Sequence, residues 1–401
     1  MSSTSSDKAL VFAPWLLLLG ALTAIGPLSI DMYLPSFPTL EKELGSGVQL
    51  SLASFFIGMA MGQVLYGSLS DRFGRKPPLL IGLVIFIIAS FACSQATTMN
   101  ELIIGRFLQG FGGCAGMVIS RAVVRDRCQP SQAAQAYSML VLVMGLAPIL
   151  APLAGSWLLV AYGWQSIFWF KGIFVSMCLL AVYFTLAESH HQRAQPLQLG
   201  KVLTSYGQLL VNRTFMGYTL SSGLTFSGMF AYIAGSPHVF IELHHLSPTH
   251  YSWIFGSNAL GFITASQLNA YLLRRGYAML GILQRAIWLP ALVSSSLLIA
   301  EWAGIHSLGL LLVGFFSYIA SLGFISPNAG AAAMANQGHQ AGTASALMGV
   351  LQFGLASIIG AMLGLWQSDS ALPVLTLMTF CGVGGLLWHR LVLPKTVVVS
   401  P

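Results

Sequence analysis

A single acidic side chain stands in an otherwise uncharged stretch near the start of the chain. Asp31 lies in PLSIDMYLP, and no charged residue occurs between it and Lys8 on one side or Glu41 on the other. A carboxylate in a low-dielectric surrounding favours its neutral form, so it can take up a proton on one side of a barrier and release it on the other. We predict that Asp31 carries protons. The alternative is that Arg106 pairs with it and keeps it charged.

Three basic side chains stand in other apolar stretches. Arg106 opens RFLQGFGGCAG (106–116), and an arginine in the centre of a membrane helix costs about 2.5–3.5 kcal/mol on insertion scales. We predict that it acts with Asp31 in proton coupling, and the alternative is a side chain that extends to the lipid headgroups. Lys171 and Arg285 either extend in that way or bind an anionic substrate, and the sequence does not decide between the two.

Aromatic, amide and methionine side chains in the apolar stretches could line a substrate cavity. Each of them could instead form a hydrogen bond or a packing contact between helices. A lining of this kind repacks around different apolar shapes because methionine is flexible and polarizable. We therefore expect loose selectivity, with neutral or cationic amphipathic molecules preferred over multiply charged anions. The candidates are Tyr33, Phe55, Met59, Gln63, Tyr66, Gln109, Tyr232, Asn258 and Gln352.

The composition explains why these residues need a membrane around them. Of 401 residues, 56% are hydrophobic and only 7% are charged, whereas soluble domains carry roughly 25% charged residues. This balance excludes a soluble globular protein. The net charge of +7 comes from bases scattered at the ends of apolar segments, which does not indicate nucleic-acid binding.

The apolar runs predict an all-α membrane protein with twelve transmembrane helices, because a span needs about 20 apolar residues. The longest polar break, 188–213, predicts a cytoplasmic linker between two six-helix halves, 1–187 and 214–401. With the N-terminus inside, the inner segments hold nearly all of the Lys and Arg outside the spans, and the outer segments hold only Lys42. Both termini are therefore predicted to be cytoplasmic. The predicted spans are 11–40, 48–69, 77–98, 101–123, 133–160, 164–187, 214–241, 251–273, 277–300, 305–327, 340–366 and 370–393.

The loop between the second and third predicted spans carries the most specific motif. GSLSDRFGRKPPLL (67–80) has the form G-x-L-x-D-R-x-G-R-K and resembles the signature loop of the major facilitator superfamily. We expect the two glycines to allow a tight turn and a close approach. We also expect Arg75 to form an ionic cluster with Asp71 and Asp126, which opens and closes an inner gate. The predicted gate loop comprises Gly67, Asp71, Arg72, Gly74, Arg75, Lys76 and Asp126.

Two further stretches resemble motifs of drug:proton antiporters. R-x-x-Q-G-x-G is matched at Arg106, Gln109 and Gly110, and the fifth span holds GLAPILAPLAG (145–155). The latter resembles G-x-x-x-G-P-x-x-G-G, although Ala147 precedes the proline and Ser156 replaces the second glycine. A plain kink without a coupling role is the alternative for this stretch. The predicted helix-bending residues are Gly145, Pro148, Pro152 and Gly155.

Four strings narrow the resemblance to the bicyclomycin- and chloramphenicol-resistance (Bcr/CflA) branch. They are PLSIDMYLPSFP, SRAVVRD (120–126), SGMFAYIAGSPHVFIE (227–242) and AGTASALMGVLQFG (341–354). The resemblance implies a major facilitator fold and a proton-coupled exporter of small organic molecules or drugs, working by alternating access in the bacterial inner membrane. It implies a monomer among lipids, with no cofactor, metal site or catalytic residue and no nucleic-acid partner.

Two other functions stay open at this point. The first is a proton-coupled exporter or importer of one dedicated metabolite, such as a nucleoside or an amino-acid-like compound, because the fold does not fix the substrate or the direction of transport. The second is a membrane metalloenzyme, because histidine groups can bind iron or zinc. The group after the seventh span falls on the predicted outer side, however, and His190–His191 fall on the inner side, so the two groups cannot share one metal.

Overall fold

The computed structural model describes residues 14–128, 130–189, 199–337, 341–366 and 368–393. Every regular element in these ranges is helical. The chain divides into two compact units, Met1–Leu197 and Gln198–Pro401. The predicted linker 188–213 contains a helix of its own, Leu199–Val211, and its residues 190–198 lie outside the described ranges, as do the predicted cytoplasmic termini, 1–13 and 394–401.

The first unit contains six long helices joined by short connections. The α-helix of α1 is interrupted after Asp31 by a turn and a short 3₁₀ segment. Helix α4 begins with a capping box, in which the Thr98 hydroxyl accepts from the backbone N–H of Glu101, and this arrangement fixes the start of the helix that carries Arg106. The bounds are α1 Pro14–Leu44, α2 Val48–Phe73, α3 Lys76–Ser94, α4 Met99–Arg127, α5 Pro130–Tyr162 and α6 Gln165–Thr185.

The second unit also contains six long helices. Helix α7 ends in a π-helical turn, His238–Leu243, and α9 consists of two consecutive α-helical segments, Met279–Ala286 and Trp288–Trp302. The bounds are α7 Arg213–Leu243, α8 Pro248–Arg274, α9 Met279–Trp302, α10 Leu308–Met334, α11 Ala341–Leu365 and α12 Leu372–Val392.

Eleven of these twelve helices in the described part of the chain are long and apolar enough to cross a membrane. The exception is α8, which is 27 residues long but carries several amides and hydroxyls. Its amides face other helices: Asn258 donates to the Tyr232 hydroxyl of α7 at 2.7 Å, and Asn269 accepts from Asn328 of α10 at 2.7 Å. Polar groups that bond to neighbouring helices are compatible with a membrane span. Hydropathy alone therefore undervalues α8.

Large apolar side chains lie on the outside of the bundle as well as in its core. Ile88 is 64% exposed and Phe184 is 76% exposed, a degree that would be unusual over a whole soluble surface. Such an apolar surface requires lipid around it. Helices are compatible with lipid because they satisfy their own backbone hydrogen bonds. The chain is an all-α membrane protein with multiple spans.

Helices α2 and α4 approach each other so closely that their backbones touch. A Cβ added at Gly110 would overlap the backbone carbonyl of Phe55, and one added at Gly58 would overlap the carbonyl of Phe107. Small residues at such positions allow helices to pack tightly in lipid. This packing sets Phe55 beside the turn of α4 that bears Arg106.

Candidate functional site

Asp31 is the last residue of the first α-helical segment of α1. The helix stops there because Pro35 follows, and a proline lacks the N–H that would bond to the Asp31 carbonyl in a continuing helix. The Asp31 side chain is only 4% exposed. No described residue forms a hydrogen bond or an ion pair with its carboxylate. The pairing with Arg106 that the sequence left open is therefore not formed in this structure.

Helix α5 packs directly against the break in α1. A Cβ on Gly155 would overlap the carbonyl oxygen of Met32 and would lie 2.9 Å from its Cα. Only glycine allows this approach, so Gly155 lets α5 pack against the backbone of Met32, the residue that follows Asp31. Pro148 and Pro152 lie inside the continuous helix Pro130–Tyr162. Gly145 lies in the same helix and is half-buried.

Arg106 is fully buried and is surrounded mainly by aromatic rings. Its guanidinium carbon lies 4.7 Å from the ring centroid of Tyr33 and 4.3 Å from that of Phe55. Its Nη1 donates to the Oε1 atom of Gln109, while Gln109 donates to the Ser90 hydroxyl at 2.7 Å. The Nε and Nη2 groups have no acceptor among the described residues. Two predicted cavity residues besides Tyr33, namely Phe55 and Gln109, thus converge on Arg106.

Lys171 reaches the same place from α6. Its side chain is 2% exposed, and its Nζ lies 4.1 Å from the ring centroid of Phe168 and 5.5 Å from that of Tyr33. No acceptor for Nζ is present in the described part of the chain. Arg285, by contrast, is exposed on α9. The two cations that the sequence could not tell apart therefore lie in different surroundings.

The remaining predicted cavity residues are spread over both units. Tyr66 belongs to the apolar core of the first unit, and its ring centroid lies 5.4 Å from that of Phe111, so its contacts are those of a packing residue. Met59 is buried on α2, and Gln63 on the same helix is half-buried. In the second unit, Tyr232 accepts from Asn258. Gln352 is half-buried on α11.

The gate-loop residues form an ionic cluster around Arg75. The Arg75 side chain is 2% exposed, and it donates to Asp126 at 2.7 Å and to Asp71 at 2.5 Å. Burial acts to lower the pKa of Arg75, but the hydrogen bonds to Asp126 and Asp71 outweigh it and raise the pKa above its usual value. The guanidinium therefore stays charged and holds α2, α3 and α4 together.

Glu188 belongs to this cluster, although the sequence analysis missed it. Its carboxylate accepts from the backbone N–H groups of Arg75 at 2.8 Å and Lys76 at 3.0 Å. A carboxylate at this position satisfies two of the free N–H groups at the start of α3. One signal was present in the sequence: Glu188 is the only acid between Asp126 and Glu242.

The two glycines of the loop motif play different parts. Gly74 has a φ of +89°, and a Cβ there would lie 2.6 Å from a Glu188 carboxylate oxygen, so the tight turn and the close approach expected from the sequence both occur at this residue. The expectation was wrong for Gly67. This residue lies inside α2. A Cβ added to it would have no neighbouring atom of the described residues within 4 Å outside its own helix. Arg72 is exposed beside Phe73, and Lys76 donates to the carbonyl of Tyr183 at 2.7 Å.

Three of the described histidines, His238, His250 and His306, form hydrogen bonds with nearby side chains. His238 lies 2.5 Å from Glu242 and 3.0 Å from the carbonyl oxygen of Ser368. Within the described ranges, no three His, Cys, Asp or Glu side chains come together as metal ligands would. His190–His191 lie outside those ranges.

Comparison with known proteins gives one consistent result. The family model of the Major Facilitator Superfamily matches residues 19–392. The chain is 35% identical to the uncharacterized MFS-type transporter YdgK of Bacillus subtilis, over 92% of this chain and 93% of that protein. It is 30% identical to a bicyclomycin resistance protein homolog of Haemophilus influenzae, with 92% and 93% covered. A crystal structure of a D-xylose-proton symporter superposes with a TM-score of 0.72 at 16% identity, covering 96% of this chain and 98% of that one.

Proposed function

Because the chain belongs to the Major Facilitator Superfamily, we propose that it exports small organic molecules or drugs in exchange for protons. The relative named as a bicyclomycin resistance protein homolog supports a drug as the first substrate to test. The relevant site is exposed alternately to the two sides of the membrane, as in other transporters of this fold. We place the protein in the bacterial inner membrane as a monomer with both termini in the cytoplasm.

Asp31 is the observation that carries this proposal. It is a buried carboxylate without a partner among the described residues, and it lies where α1 loses its regular helix. Ionisable residues in membrane helices mark ion and proton pathways. In the proposed cycle, Asp31 takes up a proton from the outer side and releases it inside.

The Arg75 cluster supports a role in the conformational step. Arg75 joins Asp71 at the end of α2 to Asp126 near the end of α4 through hydrogen bonds of 2.5 and 2.7 Å. We propose that this cluster is formed when the substrate site faces out and breaks when it opens to the cytoplasm. Binding of the substrate itself does not require it.

Substitution Asp31→Asn tests the coupling role, because it removes the titratable group and keeps the side-chain size. Inside-out vesicles with an imposed proton gradient should accumulate bicyclomycin when they hold the unsubstituted protein. With Asp31→Asn we expect gradient-driven accumulation to fall at least tenfold, while the amount of inserted protein stays the same. Asp31→Glu keeps a titratable carboxylate and should retain part of the activity.

Asp369→Asn is the matched control, because Asp369 is exposed between α11 and α12. It should transport at the unsubstituted rate. Full gradient-driven accumulation by Asp31→Asn would overturn the coupling role. Accumulation by right-side-out vesicles alone would show an importer instead.

A dedicated metabolite transporter remains the second candidate, and one observation favours it. Two buried cations, Arg106 and Lys171, lack acceptors for several N–H groups among the described residues. A strictly polar substrate, not displaced by hydrophobic drugs in a competition assay, would support this second candidate over drug export.

A further inference from the structure

Two basic side chains of the first unit meet at one aromatic ring. Arg106 of α4 and Lys171 of α6 both lie within 5.5 Å of the Tyr33 ring centroid. Their exposed fractions are 0% and 2%. The charge of Arg106 opposes that of Lys171, so neither cation relieves the burial of the other.

The rings around these cations offset only part of the free energy of burial. A desolvated cation over an aromatic face gains less free energy than removing its charge from water costs. A ring face also offers no lone pair to the orphaned N–H groups. Those groups are Nε and Nη2 of Arg106 and Nζ of Lys171, and each lacks an acceptor among the described residues.

The guanidinium is held in place by a chain of hydrogen bonds. Gln109 accepts from Arg106 and donates to Ser90 at 2.7 Å, and the Ser90 hydroxyl donates to the Phe86 carbonyl at 2.7 Å. This chain engages Nη1 and leaves the other donors unengaged. A fixed, buried guanidinium with free donors is preorganised for a carboxylate, which it can bind through two parallel bonds.

The described acids of the first unit do not supply an anion to these two cations. Arg106 and Lys171 form no ion pair with any carboxylate in the described residues. Arg75 shows the contrast, because two carboxylates engage it at 2.5 and 2.7 Å. The described side chains of the first unit therefore leave both cations without a counter-charge.

We propose that Arg106 and Lys171, together with the Tyr33 ring, form a subsite for one carboxylate of the transported molecule. The rings of Phe55 and Phe168 around the cations match an apolar or aromatic body attached to that carboxylate. The inference rests on the proposed function and narrows it to amphipathic molecules that carry a single negative group. It revises the sequence-based preference for neutral or cationic substrates.

Equilibrium binding to the purified full-length chain in detergent tests this subsite. The probes are 2-naphthoate and 2-naphthamide, which have the same ring and differ in the charged group, measured by calorimetry without any proton gradient. The unsubstituted protein should bind the carboxylate at least tenfold more tightly than the amide. Lys171→Met should reduce that ratio at least threefold, because only Arg106 then faces the carboxylate, and Lys171→Arg should keep it. Arg285→Met is the matched control and should leave the ratio unchanged.

Thermal unfolding separates a ligand site from a structural role. If Lys171 is unpaired in the free protein, Lys171→Met should raise the unfolding temperature, and naphthoate should stabilise the unsubstituted protein more than the variant. A large drop in unfolding temperature for Lys171→Met would overturn the proposal, because it would mean that Lys171 is engaged by the protein itself. Equal binding of naphthoate and naphthamide by the unsubstituted chain would overturn it as well.

Sodium acetate and sodium chloride distinguish a substrate carboxylate from a free anion. Both should bind much more weakly than naphthoate, because they lack the aromatic body. If either binds as tightly as naphthoate and loses affinity in Lys171→Met, the site belongs to a free anion and the substrate assignment fails. Since no gradient is used, a failure of proton-driven transport leaves this result interpretable.

Discussion

Two arginines of the first unit, among the residues that the structure describes, are fully or nearly fully buried, and their surroundings are opposite. Arg75 lies at the start of α3 with two carboxylates in contact and a third, from Glu188, on its backbone N–H. Arg106 lies inside α4 with two ring faces, one amide and two N–H groups that lack an acceptor in the described structure. Burial alone therefore does not reveal what an arginine does.

The difference lies in whether the chain supplies the counter-charge. A buried charge with good hydrogen bonds is held firmly, and removing one partner is strongly destabilising. A buried charge without a partner lowers stability until a ligand arrives, and binding then recovers the free energy. We interpret the Arg75 cluster as an ionic contact that holds helices together. We interpret the surroundings of Arg106 and Lys171 as a site for a ligand.

The largest effect on stability should come from removing a counter-charge of Arg75, which would leave this arginine poorly paired, as Arg106 is. Asp126 is 13% exposed and Asp71 is 52% exposed. Asp126→Asn removes the more buried counter-charge, so we expect the free energy of unfolding in detergent to fall by about 3 kcal/mol. Asp71→Asn should lower it by less, because water already reaches that carboxylate.

The double variant Arg75→Met/Asp126→Asn sharpens this test. The double variant removes both buried charges and leaves only the carboxylate of Asp71 without Arg75; because Asp71 is 52% exposed to water, much of the lost stability should return. A double variant that is no more stable than Asp126→Asn would show that an unpaired Arg75 charge is not the cause of the instability of Asp126→Asn. The contrast with Lys171→Met, which should raise stability, then gives opposite signs for the two regions.

The next effect concerns the break in α1 beside Asp31. Gly155→Ala places a methyl group against the backbone carbonyl of Met32, and backbone cannot yield as a flexible side chain can. We expect a loss of about 1–3 kcal/mol, as for other overpacked positions, together with reduced transport. Gly342→Ala is the matched control on α11, because no atom of the described residues lies within 4 Å of its added Cβ. Equal stability of the two variants would show that α1 can shift away from α5.

The contrast between these regions also shows how far sequence reasoning reaches. The apolar runs predicted twelve long helices, since hydrophobic length is a local property of the chain. The major facilitator fold is confirmed by the family match across residues 19–392 and by the superposed symporter. Helix α8 was predicted from its length, although its amides leave it short of the hydropathy expected of a span.

The site was less accessible to sequence reasoning, because it depends on contacts between distant residues. The sequence predicted that Arg106 acts with Asp31, yet the contacts of Arg106 are with Tyr33, Phe55 and Gln109. Lys171 and Arg285 look alike as single bases in apolar runs, and only burial separates them. Glu188 reaches Arg75 across 113 positions of the chain, a distance over which no local pattern carries information.

The smallest expected effect concerns the two glycines of the loop motif, which the sequence treats as equivalent. Gly67 lies inside α2 with no atom placed within 4 Å of an added Cβ, so Gly67→Ala should raise the free energy of unfolding by up to about 0.5–1 kcal/mol through its better helix propensity. Gly74→Ala should lower it, because the φ of +89° suits glycine and the methyl group would approach Glu188. The measurement is the unfolding free energy of each variant in detergent micelles. If Gly67→Ala lost as much stability as Gly74→Ala, both glycines would be needed for close contacts. The close packing around the Arg75 cluster would then extend further along α2 than the observed contacts imply.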